Sequence, residues 1–416
     1  MRFLWISHVV PYPPKAGFLL RAYHLLNGVA RHHTVDLVAF VQEPWLRTIY
    51  GDVEAGLDDC RRALSAFCNE LHFLPIRSAA GDFGRVATAA RALLSGRSYT
   101  TSWLQQSDAA GLIAHASQRN RYDLVHFDTI GLAPYRDSVG RRVTTLGHHN
   151  IESHLFARRS RTEANVFKRR YYSREGRLLA NYERTMAARF NAHITCSDLD
   201  SARLAEVAGP VPAHAIPNGV DCDYFRPSES QHENADTLLF VGTLNWHPNV
   251  DAMRFFLSEV WPKLRAARPA VTFDIVGANA PPSLSEQASA LEGVKLHGFV
   301  PDVRPYFART GVFVCPIMDG GGTKLKVLDA FAMGKAVVAH PISLEGIDAV
   351  PGEHVEVAST PQEFVAAIVR LLDDPGRRRQ LGENARKLAE RKYSFAAIGE
   401  QFNGILERVS GEAPRE

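Results

Sequence analysis

Short apolar, β-branched runs alternate along this chain with longer segments in which apolar residues recur every three or four positions. RFLWISHVV, a helical segment from about Leu19, TVDLVAF, a helix near Val53 to Phe67 and LHFLPI are the first repeats, and DLVHFD (123–128), RVTTLGHH (142–149) and AHITCS (192–197) continue them. This alternation predicts an α/β fold in which a parallel sheet is covered by helices on both faces. Ile151 to Phe190 reads as one long helical stretch rich in basic side chains. Around PNGVDCDYFRPSESQHENAD (217–236) the periodicity stops and Pro, Gly, Ser, Asn and charge take over, which predicts a domain boundary. A second series follows: TLLFVGTL, a helix from about Asn249 to Ala267, VTFDIVG, LSEQASAL, VKLHGF, VRPYFA, VFVCPIM, a helix from Thr323 to Met333, and AVVAH. Two doubly wound domains are expected, residues 1–216 and 237–392, joined by a 217–236 linker. A last helix within 393–416 is expected to pack back on the first domain.

The apolar start, MRFLWISHVVPYPP, is interrupted by His8 and by prolines 11, 13 and 14. It stops far short of the roughly 20 residues of a membrane helix and reads as a buried strand, with no signal peptide or spanning segment expected. With 416 residues, 45% hydrophobic and 22% charged, the chain has the composition of an ordinary globular protein too long for one core. Lys plus Arg number 48 against 45 Asp plus Glu, a formal charge of +3, so no bulk attraction to nucleic acid follows and any anion must be held locally. Cys60, Cys68, Cys196, Cys222 and Cys315 form neither a CxxC pair nor a metal-ligand spacing; they read as reduced thiols of a cytoplasmic protein.

In open parallel sheets ligands bind beyond the carboxyl ends of the strands, so the strand-to-helix turns, and the cleft expected between two such domains, are where chemistry is sought. The most informative turn is PIMDGGGTKLKVLDAFAMGKAVVAH. Asp319 ends the strand, Gly320 to Gly322 expose backbone amides, and Thr323 is placed to cap a helix carrying Lys324, Lys326 and Asp329. Amides, helix N-terminus and lysines make an anion cradle suited to phosphate, and Asp329, three residues from Lys326, shares its helix face and can accept ribose hydroxyls. A plain Gly-rich loop with surface lysines is the other reading. No GxGxxG follows a strand, GDFGRV (81–86) has the wrong spacing, and GGGTK is not a P-loop.

At the mouth of the first domain, HHNIES brings His148, His149, Asn150 and Glu152 to a strand end. Adjacent histidines point to opposite faces, so at most one serves a site there. A metal is not expected, since HxH and HxxxH spacings are absent. The first turn carries Gly17 with Lys15 and Arg21, either a close approach to an anion or a proline-stiffened loop. Residues 156–178 interleave arginines with Phe156, Phe167, Tyr171 and Tyr172, opposed locally only by Glu163 and Glu175. Such a helix can rest on an anionic membrane or simply be a solvated face.

IPNGVDCDYF (216–225), VGTLNWHPNVDA (241–252), HGFVPDVRPYF (297–307) and GGGTKLKVLDAFAMGKAVV (320–338), in this order, resemble the retaining GT-B glycosyltransferases of family four, in particular sugar transferases of exopolysaccharide and PEP-CTERM systems. The resemblance implies two Rossmann-like domains, a nucleotide-diphosphate sugar as donor, a glycan or polyprenyl-linked acceptor, and no cofactor or metal. The implied enzyme is a retaining hexosyl- or N-acetylhexosaminyltransferase, at the inner face of the plasma membrane if peripheral.

The second acid of the family's E-x7-E motif falls on Asp329 and its first on Gly321, so that carboxylate is missing. Asp319, or the amides of Gly321 and Gly322, would meet the sugar hydroxyls instead. The family's Arg and Lys after the GT turn fall on Thr243 and Pro248, leaving Lys324 and Lys326 as substitutes. His149 matches the histidine kept near the donor sugar, with His148 in reserve. Gly17 matches a glycine facing the diphosphate; Gly298, Phe299 and Val300 would face the base; Glu345 lies in a donor-contacting loop. Leaving-group departure would rest on amides and lysines, with same-face attack by the acceptor. A nucleotide-sugar 2-epimerase on the same fold, or a catalytically degenerate sugar-nucleotide-binding scaffold, is the alternative.

Overall fold

Seven apolar runs of the first half become the strands β1 (Arg2–Ser7), β2 (Thr34–Val41), β3 (Leu71–Pro75), β4 (Leu124–Phe127), β5 (Thr144–Gly147), β6 (Ala192–Thr195) and β7 (Ala213–Ala215) in the computed structural model of the chain. It describes every residue except 15–16, 77–80, 228–233, 321 and 413–416, so Lys15 and Gly321 lie outside the described residues. The sheet order is β3-β2-β1-β4-β5-β6-β7, every neighbouring pair parallel. Seven of the eight residues of β2 are buried, as expected of a strand covered on both faces. Its one acid, Asp36, is held by the Arg2 guanidinium at 2.7 Å, by Tyr122 Oη and by Asn69 Nδ2.

The second series gives β8 (Asn234–Val241), β9 (Thr272–Val276), β10 (Val294–Leu296), β11 (Thr310–Cys315), β12 (Ala336–Ala339) and β13 (Glu356–Val357), in the all-parallel order β10-β9-β8-β11-β12-β13. Both orders reverse direction beside the first strand, at β1/β4 and at β8/β11. Connections on the two sides of such a switch point run to opposite faces, which leaves a crevice at the carboxyl edge.

The chain falls into two units, Met1–Ile216 with Ile398–Glu416, and Pro217–Ala397. The 217–236 stretch joins the second unit: Val220 lies in its core and bridges to Ser394. The closing helix Phe395–Glu412 lays Ile398, Phe402, Ile405, Leu406 and Val409 into the first unit's core beside Trp5. Phe402 meets the Trp5 ring edge-on at 5.9 Å, and a Cβ on Gly28 would come within 3.0 Å of the Gly399 backbone.

Two helices begin or end elsewhere than the periodicity predicts. The 151–190 stretch is not one helix but Glu152–Thr162 and Val166–Ala187, because Asn165 accepts hydrogen bonds from the Phe167 and Lys168 amides and so starts a new helix. The helix expected from Thr323 runs over Leu325–Ala332, with Lys324 rather than Thr323 at its N-cap. Gly320 and Gly322, both at positive φ, turn the chain twice before the helix and delay its entry.

Candidate functional site

In the first unit the carboxyl ends of three adjacent strands converge: His8 follows β1, Asp128 follows β4 and His149 follows β5. His8 Nδ1 lies 2.9 Å from Asp128 Oδ2, and Ser7 Oγ donates to the same oxygen at 3.3 Å. His149 Nε2 stands 3.6 Å from Asp128 Oδ1, just beyond hydrogen-bond length. Gly147 makes the approach possible, since a Cβ there would fall 2.5 Å from the Asp128 carbonyl oxygen. Burial by itself would raise the Asp128 pKa, but the His149 and His8 imidazoles outweigh it and hold the carboxyl well below its usual range. Burial lowers the His149 pKa, and the Asp128 charge offsets this only in part.

His148 turns the other way. Its Nε2 lies 3.0 Å from His193 Nδ1, whose Nε2 meets the Ala187 carbonyl at 3.0 Å, and burial pushes its pKa well below the ordinary value. The pair of histidines is thus divided between a polar cluster at the sheet edge and a buried chain under the Val166–Ala187 helix. Next to them Glu152 has its pKa pushed up to about 7, by burial and then by Glu183, which is occupied by the Ser153 amide and hydroxyl. The turn after β1 opens at Gly17 into the helix Gly17–Ala30.

The histidine spacing argued against a metal, yet the fold brings three ligand atoms of His8, Asp128 and His149 within 4.8 Å of one another. Among the described residues they are the group able to hold a divalent ion.

In the second unit the loops after β8, β10, β11 and β12 all lie at one edge of the parallel sheet. They carry Thr243, then Gly298, Phe299 and Val300, then Asp319, Gly320 and Gly322 to Lys324, then Glu345, while Lys326 lies in the first turn of the helix that follows the β11 loop. Thr243 and Phe299 are exposed, while Val300, Asp319, Thr323, Asp329 and Glu345 are half-buried. Gly298 takes a positive φ and its carbonyl accepts from the Gly277 amide at 2.9 Å.

Lys326 is the centre of this edge. Its Nζ donates to Asn249 Oδ1 at 2.6 Å and stands 4.4 Å from the centroid of the Phe240 ring, while Asn249 Nδ2 donates to the Thr243 carbonyl at 2.8 Å. Gly242 leaves room for the amine, for a Cβ there would sit 2.5 Å from it. Burial, with Lys324 adding to it, lowers the Lys326 pKa to about 8 against the opposing pull of Cys315 and Asp329. Asp329 on the same helix face is pushed up to about 7 by burial, in spite of Lys326. Lys324 is spent differently from its neighbour: its Nζ donates to the carbonyls of Gly320 and Gly322 at 2.8 and 2.9 Å and braces the glycine loop.

Asp128, His8 and Asn249 were not singled out from the sequence, nor was Ser343, whose hydroxyl donates to the carbonyls of Cys315 and Ile317 and ties the β12 loop to β11. The available signal was position: His8 and Asp128 directly follow strands at a switch point, and Asn249 lies in the first turn of the helix His247–Phe255 that follows β8.

Two parallel-sheet domains of this kind make up the GT-B fold. The description "Glycosyl transferases group 1" fits residues 235–374, and "Glycosyltransferase Family 4" fits residues 53–224. Over its whole length the chain resembles HepE of Anabaena, solved in complex with UDP, at a TM-score of 0.67 and 15% identity, covering 98% of this chain and 100% of that one. Sucrose-phosphate synthase of Thermosynechococcus elongatus aligns with a TM-score of 0.69 and 15% identity over 99% and 100% of the two chains. In sequence, the chain is 24% identical over 169 residues to an uncharacterized 44.6 kDa protein of the cps region of Klebsiella pneumoniae, 39% of this chain and 43% of that one. It is 36% identical over 88 residues to the alpha-D-kanosaminyltransferase of Streptomyces kanamyceticus, 20% of this chain and 22% of that one. The chain spans less than half the length of these curated relatives. The whole-length likenesses show the GT-B fold, and the two glycosyltransferase family descriptions match parts of the chain, one within the second unit and one mostly within the first.

Proposed function

We propose that the protein transfers a sugar from a nucleotide-diphosphate donor to a glycan or polyprenyl-linked acceptor with retention of anomeric configuration, in the synthesis of an exopolysaccharide or other cell-surface polysaccharide. The observation that carries this reading is the Lys326 amine, held by Asn249 at 2.6 Å beside the switch point of the second sheet, with burial lowering its pKa to about 8. A diphosphate there restores full charge to the amine, and each charge-assisted contact contributes about 1.5–3 kcal/mol. Asp329 then receives the ribose hydroxyls, and Gly298 to Val300 border the base. The UDP and UDP-glucose bound by Anabaena HepE support a nucleotide-sugar donor, and the cps-region relative supports a surface polysaccharide as the product.

In the reaction the bond between the anomeric carbon and the phosphate oxygen breaks, and the electron pair leaves with the diphosphate. The acceptor hydroxyl attacks the same face and passes its proton to the departing phosphate oxygen. Lys326 and backbone amides stabilise the leaving charge, with Lys324 holding the glycine loop in shape, and His149 serves the donor sugar. No step needs a metal or other cofactor. The same reading places the protein in the cytoplasm, with the anionic inner face of the plasma membrane as a partner of residues 156–178.

A thermal-shift screen with UDP-, GDP- and ADP-sugars identifies the donor, since a ligand at 100 times its dissociation constant stabilises by about 2.7 kcal/mol. Nucleoside diphosphate released only when acceptor is present, with the product keeping the donor's anomeric configuration by NMR, is the expected result. Release without acceptor, or an inverted product, overturns the proposal.

A further inference from the structure

The first unit carries apolar side chains in water at the ends of two neighbouring helices, Gly81–Leu94 and Val166–Ala187. Leu94 is 88% exposed, Leu93 61% and Phe167 82%. Every residue from Ala164 to Tyr171 is exposed, so the first turns of the second helix are wetted on all sides. The two helices meet where Arg174 Nη2 reaches the Leu93 carbonyl at 3.5 Å. The segment that follows Leu94 is tied down as well, by Ser98 Oγ and the Thr100 amide donating to Glu175.

That tie decides the charge of the surface. Glu175 is the one acid among residues 166–177, which hold five Lys and Arg, and it is buried and turned inward. What remains outward is basic. Helical spacing sets Arg170, Arg174 and Arg177 in a row alongside the row of Phe167 and Tyr171. No helix among the described residues is long and apolar enough to cross a membrane, so contact of this edge with lipid would be at the surface.

We infer that Leu93, Leu94 and Phe167, flanked by Arg170, Arg174 and Arg177, form an edge that docks on an anionic phospholipid bilayer, the apolar side chains entering the headgroup boundary and the guanidinium groups pairing with phosphates. Both halves of the requirement for interfacial binding are present, apolar area and cationic charge. A second copy of this chain is a poorer occupant, because a symmetric contact would set one arginine row against another. The inference rests on the membrane-surface part of the proposed function and names the contact; it does not depend on which sugar is transferred.

The test is co-sedimentation of the full chain with vesicles of phosphatidylcholine alone or mixed with phosphatidylglycerol. Binding to the mixed vesicles only, weakened by salt, is expected. The variants Leu94→Ser/Phe167→Ser and Arg170→Gln/Arg177→Gln change exposed residues and should melt like the parent, with vesicle affinity lower by about tenfold or more. Equal binding to neutral vesicles, no binding to the mixed ones, unchanged affinity in both variants, or a lipid-free dimer that the variants dissociate would each overturn the inference. Nucleotide-sugar binding measured on the same samples keeps the two readings apart: lost vesicle binding with intact donor binding condemns the docking edge alone, and the reverse condemns the donor site alone.

Discussion

Lys326 Nζ donates to Oδ1 of Asn249 across 2.6 Å, so residues 77 positions apart fix one amine at the carboxyl end of β8. Asn249 sits in the first turn of the helix His247–Phe255 and Lys326 in that of Leu325–Ala332, so the helices that follow β8 and β11 hold the amine between them.

The pH dependence of donor binding follows from this amine. With a pKa near 8 in the ligand-free protein, Lys326 is cationic below that value and loses its proton above it. Affinity for a nucleoside diphosphate is therefore expected to be highest below pH 8 and to fall as pH rises through it. Lys326→Gln should weaken binding by about 1.5–3 kcal/mol and flatten that fall. Titration calorimetry with UDP on either side of pH 8 checks both, and an unchanged profile in the variant removes Lys326 from the diphosphate site.

Asp329 sets the opposite limb. Its carboxyl is raised to about 7, so the form that accepts hydroxyl hydrogen bonds grows as pH rises through 7. Donor affinity should therefore climb toward pH 7 before the lysine limb brings it down. Asp329→Ala should lose the rising limb and about 1.5–3 kcal/mol of affinity for the nucleotide, with the phosphate contacts kept. Calorimetry with UDP against inorganic diphosphate separates the two contributions: the variant should lose affinity only for the ligand that has a ribose.

Asp128 and the two histidines make a three-way test. Asp128→Asn removes the charge that orients His8 and His149 but keeps the size of the side chain, and turnover should fall by roughly 10- to 100-fold, the equivalent of a lost charge-assisted bond, with little change in KM. His149→Ala should lower kcat similarly. His148→Ala should do neither: it breaks the bond to His193 in the interior and should cost about 1–3 kcal/mol of stability while the folded protein turns over normally. If His148→Ala proves the inactive one, the assignment of the pair is reversed.

Much of this was legible in the sequence because parallel strands buried on both faces are written as plain apolar runs, and because the glycines of 320–322 announce a turn whatever surrounds them. The helix cap was misplaced by one residue at Thr323, since a hydroxyl before a helix looks the same whether or not the preceding glycines use up chain to turn. Asn165 split the basic stretch through a side chain that periodicity does not register. The Asp128 cluster was least visible: its members are 120 and 21 residues apart in sequence and meet only because the β1/β4 switch and the β5 register place three strand ends together. Lys326 was visible as a charge, but its lowered pKa belongs to the packing of Phe240, Asn249 and Gly242 around it.

The closing helix offers a test of how the first unit holds together. Phe402 is fully buried, edge-on to Trp5 and 5.6 Å from the His126 ring, in a core built from β1, β2, β4 and β6 and the helices after β1 and β2. Phe402→Ala removes a ring from a site whose neighbours belong to a sheet and cannot collapse into the space, so a loss of about 3–5 kcal/mol is expected. Gly28→Ala acts on the same seam by another route: its new methyl would meet the Gly399 backbone at 3.0 Å and push the helix outward, at about 1–3 kcal/mol. Because both changes lie in the first unit and Lys326 and Asp329 in the second, UDP binding below the melting point should be unchanged. Urea unfolding of the two variants, with UDP titration of each in its folded range, checks the prediction; a variant that unfolds like the parent would show that the helix contributes little to the stability of the first unit.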